Sequence, residues 1–167
     1  IDTNATLTIE PGVDVLFDAD AQFIVNGNLH AVGTENDSIR FLRGDAQRWG
    51  GIRIDSDGTT TIAYARLSGG HSPENEQSGG AIFCSKGNVN LQHAVVSGNE
   101  AFAAGGGVYF RGGPGALITV DHCTIAGNKA GHEGGGLWVS VSASMMVTNS
   151  VIVNNQAPKR AGLGNNS

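Results

Sequence analysis

The chain has 167 residues, 40% of them hydrophobic, enough for one globular domain with a sizeable core and too apolar for a disordered segment. A formal net charge of −5, with only 15% charged residues and no basic run, argues against a nucleic-acid or anionic-membrane surface. Glycine is abundant, 26 residues against about 12 at an average share of roughly 7%, yet there are 4 prolines and no Gly-x-y period, so the glycines serve turns and not a collagen helix.

The sequence starts at Ile1 with neither an initiator Met nor a signal peptide, which reads as a processed or trimmed start. No apolar run approaches the length of a membrane span. Leu7, Ile9, Val13, Val15 and Phe17 alternate with polar residues, and Pro11-Gly12 marks a turn. Phe23, Val25, Leu29 and Ala31 alternate in the same way, broken by Gly27 and Gly33. Ile39, Phe41, Trp49-Gly50-Gly51, Ile52 and Ile54 follow. Period-two alternation in short runs predicts strands. Residues 1–58 are expected to form the first, shorter coils of a solenoid.

From residue 59 onward the chain repeats itself. Gly79-Gly80-Ala81-Ile82-Phe83 leads to Val95-Val96-Ser97-Gly98-Asn99. Gly106-Gly107-Val108-Tyr109-Phe110 leads to Thr124-Ile125-Ala126-Gly127-Asn128, and Gly135-Gly136-Leu137-Trp138-Val139 leads to Val151-Ile152-Val153-Asn154-Asn155. The three asparagines lie 29 and 27 residues apart. Ala65 to Gly70 is an earlier copy with Gly70 in the asparagine place, and a partial copy begins at Ala161. A coil of this size cannot bury its apolar face alone, so successive coils must stack on one core. The expected fold is all-β, a right-handed parallel β-helix with coils of roughly 20–29 residues, one domain over 1–167 and a fragment of a longer solenoid.

In this alignment Ala81/Val108/Leu137 and Phe83/Phe110/Val139 point inward. Ile82/Tyr109/Trp138 and Cys84/Arg111/Ser140 point outward. Asn99, Asn128 and Asn155 are expected to form an internal ladder whose amides satisfy backbone groups freed by a bend.

The Gly79-Gly80-Ala81-Ile82 and Val96-x-x-Asn99 pairing, repeated with Ile125-x-x-Asn128 and Ile152-x-x-Asn155, resembles the repeats of chlamydial-type polymorphic outer membrane proteins. The segments Leu7 to Val13, Gly27 to Gly33 and Trp49-Gly-Gly-Ile52 are similar to openings of secreted β-helix proteins of the pectin-lyase-like superfamily. The resemblance implies a secreted or cell-surface location, bacterial in type, with binding or scaffolding favoured over catalysis. The superfamily also contains polysaccharide lyases and hydrolases, so activity does not follow from the fold.

Candidate sites follow from residue type and spacing. Asp18 with Asp20, and Asp55 with Asp57, lie two apart and could share a strand face to hold calcium through oxygen ligands; aspartate is also common at turns. No other cofactor is implied. His93 and His122 occupy one repeat position, preceded by Tyr64 and followed by Asn149; they could hold a metal or form a polar corner ladder. His132-Glu133 occupies a turn, and His71, Glu74 and Glu76 a longer loop, where contacts are commonly placed. An outward Ile82/Tyr109/Trp138 row would suit a sugar or a protein partner. Cys84 and Cys123 point in different directions and are not expected to pair.

Three functions fit: an adhesin or scaffold that binds a polysaccharide or cell-surface protein, a polysaccharide-active enzyme or part of one, and a subunit that associates end to end into a filament. The scarcity of clustered carboxylates favours the first. Nucleic-acid partners and membrane insertion are not expected.

Overall fold

The computed structural model describes residues 1–44, 47–74, 78–113, 115–140 and 143–165. Among them every regular element is a strand, and every strand pair is parallel. The chain winds through about five turns of a solenoid. Each coil meets the next across ladders whose partners are 22 residues apart at Thr6↔Asn28, 29 at Phe23↔Ile52 and Arg66↔Val95, and 31 at His30↔Thr61.

Three faces and one short ladder make the cross-section. The first face carries Phe23–Val25, Val108–Phe110, Leu137–Val139 and Leu163–Asn165; the second carries Thr6–Ile9, Asn28–Val32, Leu117–Asp121 and Ser144–Thr148. Two long strands, Ile52–Ala63 and Ile82–Gln92, run through both faces and bend at a register shift between Ile54 and Thr59. The third face holds Asp14–Phe17, Ile39–Arg43, Ala65–Ser68, Val95–Ser97, Thr124–Ala126 and Val151–Val153. His71–Ser72, Glu100–Ala101 and Lys129–Ala130 form the short ladder.

The core is a set of columns running along the axis, because a parallel ladder puts like positions one strand spacing apart, about 4.8 Å. Phe41, Leu67, Val96 and Ile125 are in register and fully buried. Trp49 is also fully buried; it stacks on Phe17 at 4.3 Å and its indole N–H donates to Ser68 O at 2.8 Å.

Asn99, Asn128 and Asn155 line the inside of the bend after the third face. Asn155 Oδ1 accepts from Asn128 N (3.0 Å) and Nδ2 (3.0 Å), and Asn128 Oδ1 accepts from Asn99 N (3.1 Å) and Nδ2 (3.0 Å). Each Nδ2 also donates to a carbonyl one coil earlier: Leu67, Val96 and Ile125. Gly70 N closes the row by donating to Asn99 Oδ1 at 2.8 Å. Gly70 departs from asparagine for a steric reason, since a Cβ there would lie 2.3 Å from Gly80 O.

The column explains where a substitution should hurt. Asn128→Ala orphans buried groups on both neighbouring coils, and each such group costs about 1–3 kcal/mol. Urea denaturation should show Asn128→Ala destabilised by about 3 kcal/mol. Asn155→Ala, half-buried at the last rung, should lose clearly less. Equal losses, or none at Asn128, would contradict a continuous ladder.

Candidate functional site

The outward row of the first face is set by strand register. Ile24, Arg53, Phe83, Tyr109, Trp138 and Gly164 follow one another along the axis. This corrects the expected Ile82/Tyr109/Trp138 row. Ile82 pairs with Val108 and is fully buried, Cys84 pairs with Phe110 and is buried too, and Phe83 takes the outward place. The one-residue offset comes from the glycine runs. Gly79, Gly105 and Gly134 are the equivalent positive-φ residues (74°, 65° and 58°), and Ala81 stands where the next coils have Gly107 and Gly136. Reading Gly79-Gly80 against Gly106-Gly107 therefore inverts the faces of that coil.

Phe83 and Tyr109 are half-buried and stack at 5.5 Å with an interplanar angle of 14°. Trp138 is outward in register yet only 3% exposed. A Cβ on Gly164 would lie 2.3 Å from its ring, and Arg160 sits over that ring at 5.5 Å from the centroid. Trp138 is thus a wall and not an exposed anchor.

Two open clefts flank the stacked pair. One, of about 330 Å³, is lined by Gln22, Arg53, Asp55, Ser78, Phe83 and Ser85. The other, of about 480 Å³, lies among Tyr109, Trp138, Ala104, His132, Glu133 and Lys159. The parallel row Ser78, Ala104, Glu133 and Lys159 forms the facing edge. Glu133 is held by Arg160 at 3.3 Å, with Lys159 at 4.0 Å. Of the sequence candidates, the structure therefore brings Tyr109, Trp138, His132 and Glu133 together. It adds Phe83 and Arg53, which the alternation alone did not single out.

The other candidates lie elsewhere. His71 begins the short ladder opposite Glu100; its backbone carbonyl accepts from Arg53 Nη2 at 3.4 Å, and its Nδ1 is buried with no hydrogen bond. Glu74 is exposed, and Glu76 lies outside the described residues. Burial acts to raise the Glu100 carboxyl, but Lys129 at 3.1 Å and Arg48 at 3.4 Å hold it below its ordinary value. Asp18 and Asp20 are exposed around a turn, Asp20 with φ 58°. Lys86 sits between Asp55 (3.8 Å) and Asp57 (3.4 Å), all three side chains exposed at the surface. Among the described residues no three His, Cys, Asp or Glu side chains are grouped to hold a metal ion.

His93 and His122 share a column with Tyr64. The rings stack at 4.4 Å (Tyr64–His93) and 4.8 Å (His93–His122). Asp121 accepts from Thr148 Oγ1 at 2.6 Å, lies 3.0 Å from His122 Nδ1 and accepts from Asn149 Nδ2 at 2.9 Å. Those bonds hold the Asp121 carboxyl well below the usual carboxylate range. Both cysteines are free and buried. Burial pushes the Cys84 thiol up to about 12 and raises Cys123 as well.

A stack of parallel coils closed around continuous inward columns defines a β-solenoid. The sequence matches the family model for the right-handed β-helix region over residues 23–164, and the chain belongs to that family. No curated protein and no solved structure matches it.

The corrected register is directly testable. Ile82→Asn buries an amide among core side chains and should destabilise by at least about 3 kcal/mol, whereas Phe83→Asn should cost under about 1 kcal/mol. The reverse order in thermal or urea melts would restore the Ile82-outward alignment. A thiol reagent at pH 8 should label neither cysteine in the folded chain and both after denaturation; prompt labelling of native Cys84 would show it outward.

Proposed function

We propose that this chain is a non-catalytic β-helix module, secreted or displayed at a cell surface, that binds glycan along its first face. The observation that carries the reading is the stacked Phe83–Tyr109 pair, half-buried on an outward row with a cleft on either side. The two rings face each other, so the surfaces left for a ligand are the Phe83 flank towards Arg53 and the Tyr109 flank towards Trp138. Flat aromatic surface beside hydroxyl, carboxylate and ammonium groups suits a sugar ring, which presents C–H faces and a polar rim. Ser78, Ser85, Asp55, Glu133 and Lys159 supply the polar edge.

The reading as a binding module draws on the acid groups as well. General acid–base cleavage of a glycoside needs two carboxylates about 5–10 Å apart with one free to give a proton. Here Asp55 and Asp57 share Lys86, and Glu133 is paired with Arg160. The surface location draws on the Gly-Gly-x and Ile-x-x-Asn pairing, which resembles the repeats of polymorphic outer membrane proteins.

Affinity electrophoresis against a panel of neutral polysaccharides should retard the wild-type chain on at least one member. Phe83→Ala and Tyr109→Ala, folded by circular dichroism, should each weaken that retardation at least about tenfold. Retardation unchanged in both variants would remove the aromatic pair from the site. New reducing ends released by the wild-type chain would overturn the non-catalytic reading.

A further inference from the structure

We propose that a second ligand site lies on the far side of the solenoid, at the corner between the second and third faces, and that it takes an acidic sugar unit: a carboxylate or sulfate ester on a hydroxylated ring. The cleft there is about 420 Å³, within the ~300–1,000 Å³ span of small-molecule sites. Thr34, Glu35, Ser38, Tyr64, Arg66, His93 and His122 line it, with Ala65 and Val95 at its floor.

Arg66 is the group that would hold the acid. The outward row of the third face runs Asp14, Arg40, Arg66, Val95 and Thr124. Arg40 shows what an arginine in this row does: its Nε and Nη2 donate to the two oxygens of Asp14, one coil away. Arg66 repeats the placement one coil later, is exposed, and has no acidic neighbour in the row. It makes no salt bridge with the described residues. A planar guanidinium is built to hold a carboxylate or sulfate through two parallel bonds. The site offers that fork to something outside the chain.

A column of rings stands beside it. Tyr64, His93, His122 and Asn149 turn the same corner with φ of 46°, 48°, 51° and 48°. Asparagine is a ready residue for this backbone, and the last of these corners uses it. A tyrosine, bulky and without an amide, is an outlier there, and such outliers cluster at functional sites. The column puts a phenol and two imidazoles at about one strand spacing along the cleft. Asp121, itself fixed by Thr148 and Asn149, holds His122 through Nδ1 and leaves Nε2 for a ligand.

An end wall closes the cleft on one side. Where later coils turn this corner in one or two residues, the Asn28–Val32 to Ile39–Arg43 connection takes six, residues 33–38. That longer connection brings Thr34, Glu35 and Ser38 over the cleft. Two hydroxyls and a carboxylate there complement ring hydroxyls, while the Glu35 charge disfavours a ligand that is anionic throughout. One acid group on an otherwise neutral, hydroxylated body satisfies both ends.

Nuclear magnetic resonance titration of the isotope-labelled chain with glucuronate, glucose 6-sulfate, glucose and inorganic sulfate separates these contributions. Glucuronate or glucose 6-sulfate should shift the Tyr64, His93 and His122 signals saturably, with affinity at least tenfold above glucose and above sulfate alone. Arg66→Ala should reduce that affinity at least tenfold, and Arg66→Lys should recover only part of it. Arg111→Ala, on another part of the surface, should leave it unchanged. No saturable shift with either acidic sugar would overturn the proposal. So would glucose binding as well as glucuronate, sulfate alone binding as tightly as its ester, or indifference to Arg66→Ala. Because Phe83→Ala should not affect this titration, failure here leaves the first-face reading standing, and the reverse also holds.

Discussion

Every coil of this molecule must turn without leaving a buried amide unpaired. A parallel strand satisfies its own backbone by bonding to the coils on either side, but the bend between strands breaks that pattern. The Asn99–Asn128–Asn155 column repairs it, each carboxamide accepting from the coil before it and donating back to a carbonyl of that coil, while Asn99 and Asn128 also donate to the coil after. Since all but one of these bonds, Asn99 Nδ2 to Ser97 O, reach a neighbouring coil, the bend is stable only as part of a stack. This is the cooperative term that nearest-neighbour repeats depend on.

The glycine runs are the other half of that corner. Coils approach so closely that a Cβ at Gly80 would lie 2.2 Å from Gly106 O, and one at Gly106 would lie 2.4 Å from Gly135 O. The same lack of a Cβ lets Gly79, Gly105 and Gly134 take positive φ where the chain enters the first-face strand. The three coils that follow Gly79, Gly105 and Gly134 thereby enter the first face in one register.

That division explains what the sequence could and could not disclose. The β-helix was legible because alternation and the recurring asparagine report period and coil length directly, and Gly70 could be placed in the asparagine column from its flanks. The face of Ile82 was not legible in the same way. A run of two glycines before Ala81 aligns equally well with either pair of a run of three, and alternation carries no information about a one-residue slip. Strand pairing, burial and the positive φ of Gly79 and Gly105 separate the two registers in the folded chain. The ring column Tyr64–His93–His122 could be found by position, since the corner is short and its spacing constant, but its contact with the Thr34–Ser38 connection depends on folding of a segment that has no counterpart in later coils.

A solenoid also changes how a site should be sought. Residues that lie side by side here are neighbours along the axis, 26 to 30 positions apart in sequence, as in Arg53, Phe83 and Tyr109 or Asp14, Arg40 and Arg66. A motif search over adjacent residues sees none of these groupings. The informative comparison is between successive members of one column, because the backbone holds their environments nearly constant. Arg40 and Arg66 occupy equivalent places on equivalent strands, and the first is satisfied by Asp14 while the second is not. The difference lies in the residue one coil earlier in the row, Asp14 for Arg40 and Arg40 for Arg66. Likewise Asn149 meets the conformational demand that Tyr64 meets with a bulkier ring. Gly70 departs from its column because a Cβ has no room there, whereas no such packing constraint accounts for the unpaired Arg66.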